Sequence, residues 1–496
     1  MKQKLIIVYG LLFLLFMSHS NVSTGIPNSP HLLKAKDHFF KEYDLRGKVG
    51  IDFEIDNIYD IGCSIATFFT QNSPTIKNIA IGMDGRLDSS AIKDELCRAF
   101  LDSGLNVTFI GLCTTPIVYF AMHRLNFDAG IMVTASHNPK EYNGIKIVLN
   151  KQSVWGEQIR AIKDIYKTNS FMNQQQKNQG AYAQHFLCEE YVDYLVKSFS
   201  YLRSLPLQVV FDCGNGAAGS VMPLLIKKMG WENAVILNET IDGNFPSHDP
   251  DPTIEKNVKE LKEYVMQHEE ASFGIAFDGD CDRLAVVTKN GYLLSGDQLL
   301  AILSQALSKC QDYLPKSIIV DIMCSNNTMN QLKELGFIPY FSRTGIAYVK
   351  EAMQRHNALL GGEISGHICF NDVYFGYDDG IYAAMRLINM LYVLNKTLDD
   401  YEFLFSNKKI TKNIAIHCDD DKKFIIVEEI KTIFAQRPDL KIITVDGIRI
   451  DTGYGCAICR ASNTEPLIRL KLEATNEKDI QKLQDEFSTF LFDKKI

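Results

Sequence analysis

Three stretches of this chain share one order of apolar and polar positions. In NIAIGMDGR (78–86), LQVVFDCGNGAAG (207–219) and KSIIVDIMCSN (316–326), an apolar run leads to an aspartate and then to a small or polar turn. Each run reads as a buried strand ending at Asp84, Asp212 or Asp321. SSAIKDELCRAFLDSG, SVMPLLIKKMG and NTMNQLKELG follow with helical spacing, and each closes on a glycine, which suits a helix C-terminus. The aspartates stand too far apart for a solenoid repeat. Their spacing suits three related α/β domains, each opening with a strand–turn–helix unit. From about residue 407 the pattern changes. Strand-like NIAIHC and IRI alternate with helix-like KKFIIVEEIKTIFAQ and EKDIQKLQDEFSTFLF, which predicts a smaller α+β domain. Polar SNKKITKN and QQQKNQG read as connections. At 496 residues the chain has room for three or four domains of roughly 100–200 residues. The predicted boundaries are 31–188, 189–292 and 293–406 for α/β units of mixed sheets sandwiched by helices, and 407–496 for the α+β unit.

Residues 1–20 stand apart. Lys2 and Lys4 precede apolar LIIVYGLLFLLFM, and Ser18-His19-Ser20 follows with small residues at signal-peptidase spacing. This is the outline of a secretory signal, and the apolar run is shorter than the ~20 residues of a comfortable membrane span. A single N-terminal anchor and a start at Met17 are the alternatives. The twelve cysteines are scattered, with no disulfide framework in their spacing, which favours reduced thiols and a cytoplasmic location over export. Cys456 and Cys459 form a CxxC in a strand-like stretch, where residues three apart face opposite ways, so a metal site there is not favoured. Asn106-Val107-Thr108 is a formal glycosylation acceptor buried in a strand-like run. A net charge of −8 and a pI near 5.8 argue against nucleic-acid binding and a basic membrane patch. Both leave room for a small basic pocket that takes an anionic metabolite.

Four stretches carry candidate chemistry. VTASHNPKEYNG (133–144) follows the apolar run 129–133 and sets Ser136 and His137 at the mouth of a sheet. That serine is a nucleophile, a phosphate carrier or only a turn residue. DGDCDR (278–283) follows FGIAF at a strand's C-terminal end, where α/β ligand sites form. Asp278, Asp280 and Asp282 alternate and can converge on one hard cation; without His or thiolate they suit Mg²⁺ rather than Zn²⁺. The alternative is an acidic surface turn. In RASNTEPLIRL (460–470), Arg460, Ser462, Asn463 and Thr464 offer a guanidinium, two hydroxyls and an amide that can wrap a phosphate, or form an ordinary polar turn. In GGEISGH (361–367), Glu363 and Ser365 share one side of an extended chain and suit two sugar hydroxyls, with His367 beside them. Asp378-Asp379 invites a glycosidase reading, but adjacent residues point apart, and Asp379 fits the N-cap of the helix that follows. No G-x-S-x-G elbow, P-loop or dinucleotide-binding glycine fingerprint is present.

Together these stretches resemble the α-D-phosphohexomutases, most of all the bacterial phosphomannomutase/phosphoglucomutase branch. The resemblance runs from about residue 38 to the C-terminal region. YDLRG (43–47), TASHNP (134–139), YNGIKI (142–147), DGNFPSHDPDP (242–252), DGDCDR, GEISGH, YFGYDDGIY (374–382) and RASNTEP carry it. It implies a heart-shaped molecule of four domains: the first with the phosphoserine loop, the second with the metal loop, the third with the sugar loop and the last with the phosphate loop. It implies reversible transfer of phosphate between O6 and O1 of a hexose phosphate, with Ser136 carrying the phosphoryl group and a hexose 1,6-bisphosphate as intermediate and activator. One Mg²⁺ would be held by Asp278, Asp280, Asp282 and a phosphoserine oxygen. Arg46, Lys146 and Arg283 would surround the transferring group, and Lys146 and His367 are candidates to move the hydroxyl proton. Arg460, Ser462, Asn463 and Thr464 would grip the other phosphate with Tyr43 nearby, and Glu363 and Ser365 would read O3 and O4. The partner implied is a small phosphosugar, with a monomer as the default. The product would serve lipopolysaccharide or exopolysaccharide precursor supply.

Three positions depart from the pattern. Met323 stands where the dual-specificity branch commonly has Lys, and Ile346 where it commonly has His; Arg343 is a candidate to compensate. Cys281 replaces a common glycine in the metal loop, with little effect expected. The other readings are a mutase for another phosphosugar such as phosphoglucosamine, which Ile364 in place of that branch's usual Gln disfavours, and a non-catalytic phosphosugar-binding homologue.

Overall fold

The computed structural model describes residues 34–172, 179–309, 316–404, 410–462 and 467–491, so the signal-like segment 1–20 lies outside the described residues. The apolar run after Lys77 forms the strand Asn78–Met83, flanked in parallel by Asn106–Leu112 and Ala129–Val133. Tyr142–Leu149 then joins antiparallel, and Leu45–Lys48 completes that edge. Ala129–Val133 is buried along its whole length, which is why it reads as a continuous apolar run and not as an alternation.

The second sheet repeats this order. Val209–Asp212 lies between Val235–Leu237 and Phe273–Phe277 in parallel, with Leu284–Thr288 antiparallel beyond. The third repeats it again, with Ser317–Asp321 between Ile338–Ser342 and Leu360–Gly362, and Ile368–Phe370 antiparallel. The helices expected after each aspartate are Ser89–Asp102, Met222–Met229 and Asn326–Glu334. At the end of the second, Gly230 takes φ 67°, a left-handed turn that lets its N–H close on Ile226 O. In all three sheets the last link is a turn from a parallel strand into its antiparallel neighbour. Those turns hold residues 134–141, 278–283 and 363–367. One topology used three times thus delivers three chemically different loops.

The fourth sheet is antiparallel throughout, in the order Ile410–His417, Leu467–Ala474, Gly455–Ala461, Ile448–Asp451, Lys441–Ile443. ITKN, expected to be part of a connection, instead opens the strand Ile410–His417, because pairing with Leu467–Ala474 satisfies its backbone whatever its side chains are. One face of this sheet packs Ile468, Leu470 and Leu472 onto Val427, Ile430 and Phe487 of the helices Asp420–Phe434 and Glu477–Leu491. Cys459 lies in that core, while the Cys456 thiol lies near Arg449 on the other face, as alternation requires. No disulfide joins the eleven cysteines among the described residues.

Arg449 ties this sheet to the third one. It is 0% exposed and donates from Nη1 to Ile322 O (2.8 Å) and Cys324 O (2.6 Å), and from Nη2 to Asn326 Oδ1 (2.6 Å). Asn326 Nδ2 returns a bond to Asp451 Oδ1 (2.9 Å), and Lys471 Nζ donates to Met323 O (2.7 Å). Arg449→Met strips donors from buried carbonyls and is expected to cost about 2–4 kcal/mol. Calorimetry checks this: the C-terminal domain should melt as a separate, earlier transition, and an unchanged single transition would show that Arg449 does not carry the docking.

Candidate active site

The turns at 134–141, 278–283 and 363–367 meet in one cleft of about 660 Å³. Its walls include Tyr43, Arg46, Ser136, Lys146, Asp282, Arg283, Glu363, Ser365 and His367, so nine of the residues singled out from sequence come together. Asp278 and Asp280 lie directly beneath, fully buried.

Ser136 is 1% exposed and takes φ 51°, a left-handed conformation that costs an L-residue about 1 kcal/mol. Its backbone N–H donates to Thr134 Oγ1 (2.8 Å) and its Oγ donates to Asp278 Oδ2 (2.8 Å). The strained turn is held by Arg86, to which the sequence reading gave no role. Arg86 is buried and its guanidinium donates to four carbonyls of the loop: Ser136 O (2.7 Å), Asn138 O (2.6 Å), Pro139 O (2.9 Å) and Tyr142 O (3.0 Å). Asp84 orients it through Nε at 3.2 Å. The DGR after the first repeat's strand was the available signal, but nothing in a sequence shows which carbonyls a guanidinium will meet.

The three aspartates converge, with carboxylate oxygens within 4.8 Å of one another. Lys146 Nζ donates to Asp280 Oδ2 (2.6 Å) and to Asp282, and Thr115 Oγ1 donates to Asp280 Oδ2 (2.5 Å). Burial opposes the Lys146 charge, but Asp280 and Asp282 outweigh it and hold the lysine pKa above its ordinary value. Burial also opposes ionisation of Asp280, but Lys146 and Thr115 hold that carboxyl below the usual range. Asp278 goes the other way: burial and the neighbouring Asp282 and Asp280 push it well above. Asp280 Oδ1 and Asp282 Oδ1 are buried without a hydrogen-bond partner. All-oxygen donors with unmet lone pairs fit a hard divalent cation such as Mg²⁺. Cys281 takes φ 63°, a left-handed conformation that suits glycine, and its side chain is part of the hydrophobic core.

His367 stands on the far wall. Arg283 Nε donates to its Nε2 (2.8 Å), so its Nδ1 carries the proton toward Asp378 Oδ2 (3.1 Å), a tautomer assigned from this network. Lys350, partly buried, donates to Asp378 Oδ1 (3.0 Å) and Tyr119 OH (2.9 Å). The sequence reading gave Lys350 no role, and it did not foresee that Asp378 would orient His367. Asp379 is the N-cap expected, accepting from Tyr382 N at 2.8 Å.

Glu363 is buried and accepts from Gly345 N (2.5 Å). Tyr43 OH donates to Thr344 O (2.7 Å), which ties the first domain to the third. Asp446 accepts from Thr344 N (3.2 Å) and pairs with Arg460 Nε (3.1 Å). Ser462 is buried beside it, and its backbone N–H donates to Leu467 O (2.9 Å). Asn463 and Thr464 lie outside the described residues. Ile346 lines the cleft, and Met323 lines an adjoining cavity of about 1020 Å³ that shares Ser365 and Arg469 with it.

Comparisons with known proteins agree from residue 37 to residue 489. The phosphoglucomutase/phosphomannomutase models match in order: α/β/α domain I over residues 37–173, domain II over 189–291, domain III over 295–404 and the C-terminal domain over 414–489. A phosphomannomutase/phosphoglucomutase of Pseudomonas syringae is 37% identical over 452 residues, covering 91% of this chain and 94% of that one. A phosphoglucomutase of Neisseria gonorrhoeae is 33% identical, covering 91% of this chain and 96% of its own. A crystal structure of a phosphoglucomutase/phosphomannomutase family protein from Burkholderia thailandensis superposes with a TM-score of 0.83 at 30% identity, over 92% of this chain and 97% of that one.

Two outcomes follow from this geometry. Arg86→Met should loosen the serine turn selectively, raising amide hydrogen exchange in 134–142 by at least roughly tenfold while strand 78–83 stays protected. Equal exchange would show that the turn holds without the guanidinium. Asp278 has a folded pKa raised above its unfolded value, so the folded state binds the extra proton and metal-free protein loses stability as pH rises from about 4. Asp278→Asn should therefore raise the melting temperature in chelator by more at pH 8 than at pH 5, as thermal melts at the two pH values will show.

Proposed function

The chain belongs to the phosphoglucomutase/phosphomannomutase family, and from that membership and the site geometry we propose that it interconverts the 6- and 1-phosphates of mannose and glucose, with Ser136 as the phosphoryl carrier. The observation that carries this reading is Ser136 itself. It stands on a strained, guanidinium-held turn with its Oγ 2.8 Å from Asp278, among three converging carboxylates and opposite a cleft of donors.

In the first half-reaction the P–O bond to Ser136 breaks as a bond forms to the sugar's free hydroxyl oxygen. The hydroxyl proton leaves through the site's proton carriers and ends on the serine oxygen. The hexose 1,6-bisphosphate then turns over within the cleft, and the second half-reaction returns its other phosphoryl group to Ser136. The aspartates 278, 280 and 282 would hold Mg²⁺, which when bound draws charge from the transferring phosphoryl group. Arg46 is poised beside the serine turn, bonded to Asn138 Oδ1 (2.7 Å), and adds positive charge there. Lys146 is kept protonated by its carboxylate partners and serves as the acid or as a fixed charge. His367 becomes the base once Arg283 moves off its Nε2, because Asp378 already fixes the other ring nitrogen. Glu363 and Ser365 give up their present contacts to read sugar hydroxyls, while Arg460 and Ser462 grip the phosphate that is not reacting.

Phosphorus NMR tests this directly. With Mg²⁺ and a trace of hexose 1,6-bisphosphate to charge the serine, mannose 1-phosphate and glucose 1-phosphate should both convert to their 6-phosphates. Ser136→Ala should lose at least about a thousandfold in rate, and EDTA should stop turnover. No conversion by protein whose Ser136 is verified as phosphorylated would overturn the reading.

A further inference from the structure

One face of the Arg86 guanidinium is closed by the second domain. Four carbonyls of the serine turn accept from its edge N–H groups, and the Phe245 ring lies over it with the centroid 5.0 Å from Cζ. Phe245 sits on the segment between the strand Val235–Leu237 and the helix Lys259–Gln267. It is 9% exposed, yet among the described residues it belongs to none of the hydrophobic cores. It also takes φ 48°, a left-handed conformation that a bulky L-residue adopts only where its surroundings impose it.

Its neighbours do impose it. Phe245 N donates to Asp242 O (2.9 Å), Asp242 N to Asn215 O (3.0 Å) and Asn244 N to Asp242 Oδ1 (2.9 Å). Farther along, Ser247 Oγ donates to Asn238 Oδ1 (2.6 Å), and His248 Nε2 meets Asp212 Oδ2 at 3.1 Å. The segment is also pressed against the turn that carries Arg86. A Cβ at Gly243 would stand 2.6 Å from Gly85 O and 2.9 Å from Arg86 Cα, and one at Gly85 would stand 2.2 Å from Ile241 Cγ2. Glycine at both positions lets the two backbones come this close. A cation over an aromatic face is attracted by the ring quadrupole, and a dry guanidinium binds its carbonyls more strongly than a wet one.

We propose that Phe245 is a positioning residue for phosphoryl transfer: it seats Arg86, and through Arg86 it sets the Ser136 turn against the carboxylates. The domain that carries Asp278, Asp280 and Asp282 in this way also aims the group that they serve. The role in transfer rests on the mutase reading, whereas the seating of the turn is measurable without turnover. The ring's attraction for the cation corresponds to about a 3- to 30-fold change in the population of the loosened turn.

The test compares wild type, Phe245→Leu, Phe245→Tyr and Phe273→Leu, the last of which removes a ring from the hydrophobic core instead. Phe245→Leu should raise amide hydrogen exchange in 134–142 about 3- to 30-fold while strand 273–277 stays protected. It should lower kcat by a similar factor and leave KM for glucose 1-phosphate within about twofold. Phe245→Tyr, which keeps the aromatic face, should recover most of both losses. Phe273→Leu should lower the melting temperature without raising exchange in 134–142. In the Arg86→Met background, Phe245→Leu should add nothing to exchange in the turn. Should Phe245→Leu fold poorly, Phe245→Met serves in its place. Exchange or kcat of Phe245→Leu within about twofold of wild type, an equal effect of Phe273→Leu on the turn, or an undiminished effect without Arg86 would each overturn the proposal. Inactive wild type with Ser136 phosphorylated would defeat the mutase reading, and the exchange ratios would still decide whether Phe245 seats the turn.

Discussion

Burying three carboxylates around one serine is the constraint on which the rest of this molecule depends. Asp278, Asp280 and Asp282 are each essentially inaccessible to water, and carboxylates so close cannot all remain ionised without cations. The first domain supplies Lys146 from the strand Tyr142–Leu149 and Thr115 from the start of a helix. The metal loop supplies Arg283, whose backbone and guanidinium both approach Asp278. The domains are therefore held together at the place where charge must be balanced. The two oxygens left over, Asp280 Oδ1 and Asp282 Oδ1, are among those a divalent cation would engage, and the stability of the interface and the capacity to bind metal come from the same carboxylates.

The shared sheet order explains how such a site is assembled. Three parallel strands and one antiparallel neighbour place one reversing turn per domain, and a reversing turn after a fully buried strand is where the chain can leave the apolar interior with its side chains still converging. Each turn carries a different residue set, so one topology presents a hydroxyl, three carboxylates, and a carboxylate with an imidazole to a common space. Below the turns the repeated aspartates have diverged. Asp84 orients a guanidinium, Asp212 accepts from Gly214 N and pairs with His248, and Asp321 accepts from a buried thiol while burial and the nearby Glu363 push its own carboxyl up to about 7.

What was legible in the sequence and what was not divides along one line. Residues that act through their own local pattern were readable: the alternating aspartates, the serine after a buried strand, the cap at Asp379, the opposed faces of Cys456 and Cys459. Residues that act through partners remote in the chain were not. Arg86 holds carbonyls about fifty residues away, Lys350 and Asp378 fix His367 from another helix and turn, and Arg449 docks one domain on another through backbone atoms that any residue would supply. Backbone acceptors leave no compositional trace. The opposite error arose at ITKN, where polar side chains suggested a connection but an adjacent strand decided the matter.

Several polar groups of the cleft already have partners within the protein. Asp446 accepts from Thr344 N and pairs with Arg460, Glu363 accepts from Gly345 N, and Asp278 accepts from Ser136 Oγ. At these positions a phosphosugar entering the cleft would replace contacts that the protein already makes. Such exchange lowers net affinity, because each bond gained replaces a bond lost. It also lowers the barrier to letting go, because a donor released by the ligand finds a protein acceptor within reach. A mutase that must free a bisphosphate, turn it over and grip it again without losing it benefits from that arrangement. Tight capture by unmet donors would hold the intermediate in its first orientation, whereas a site with carboxylates ready to replace each contact permits both orientations with one set of residues.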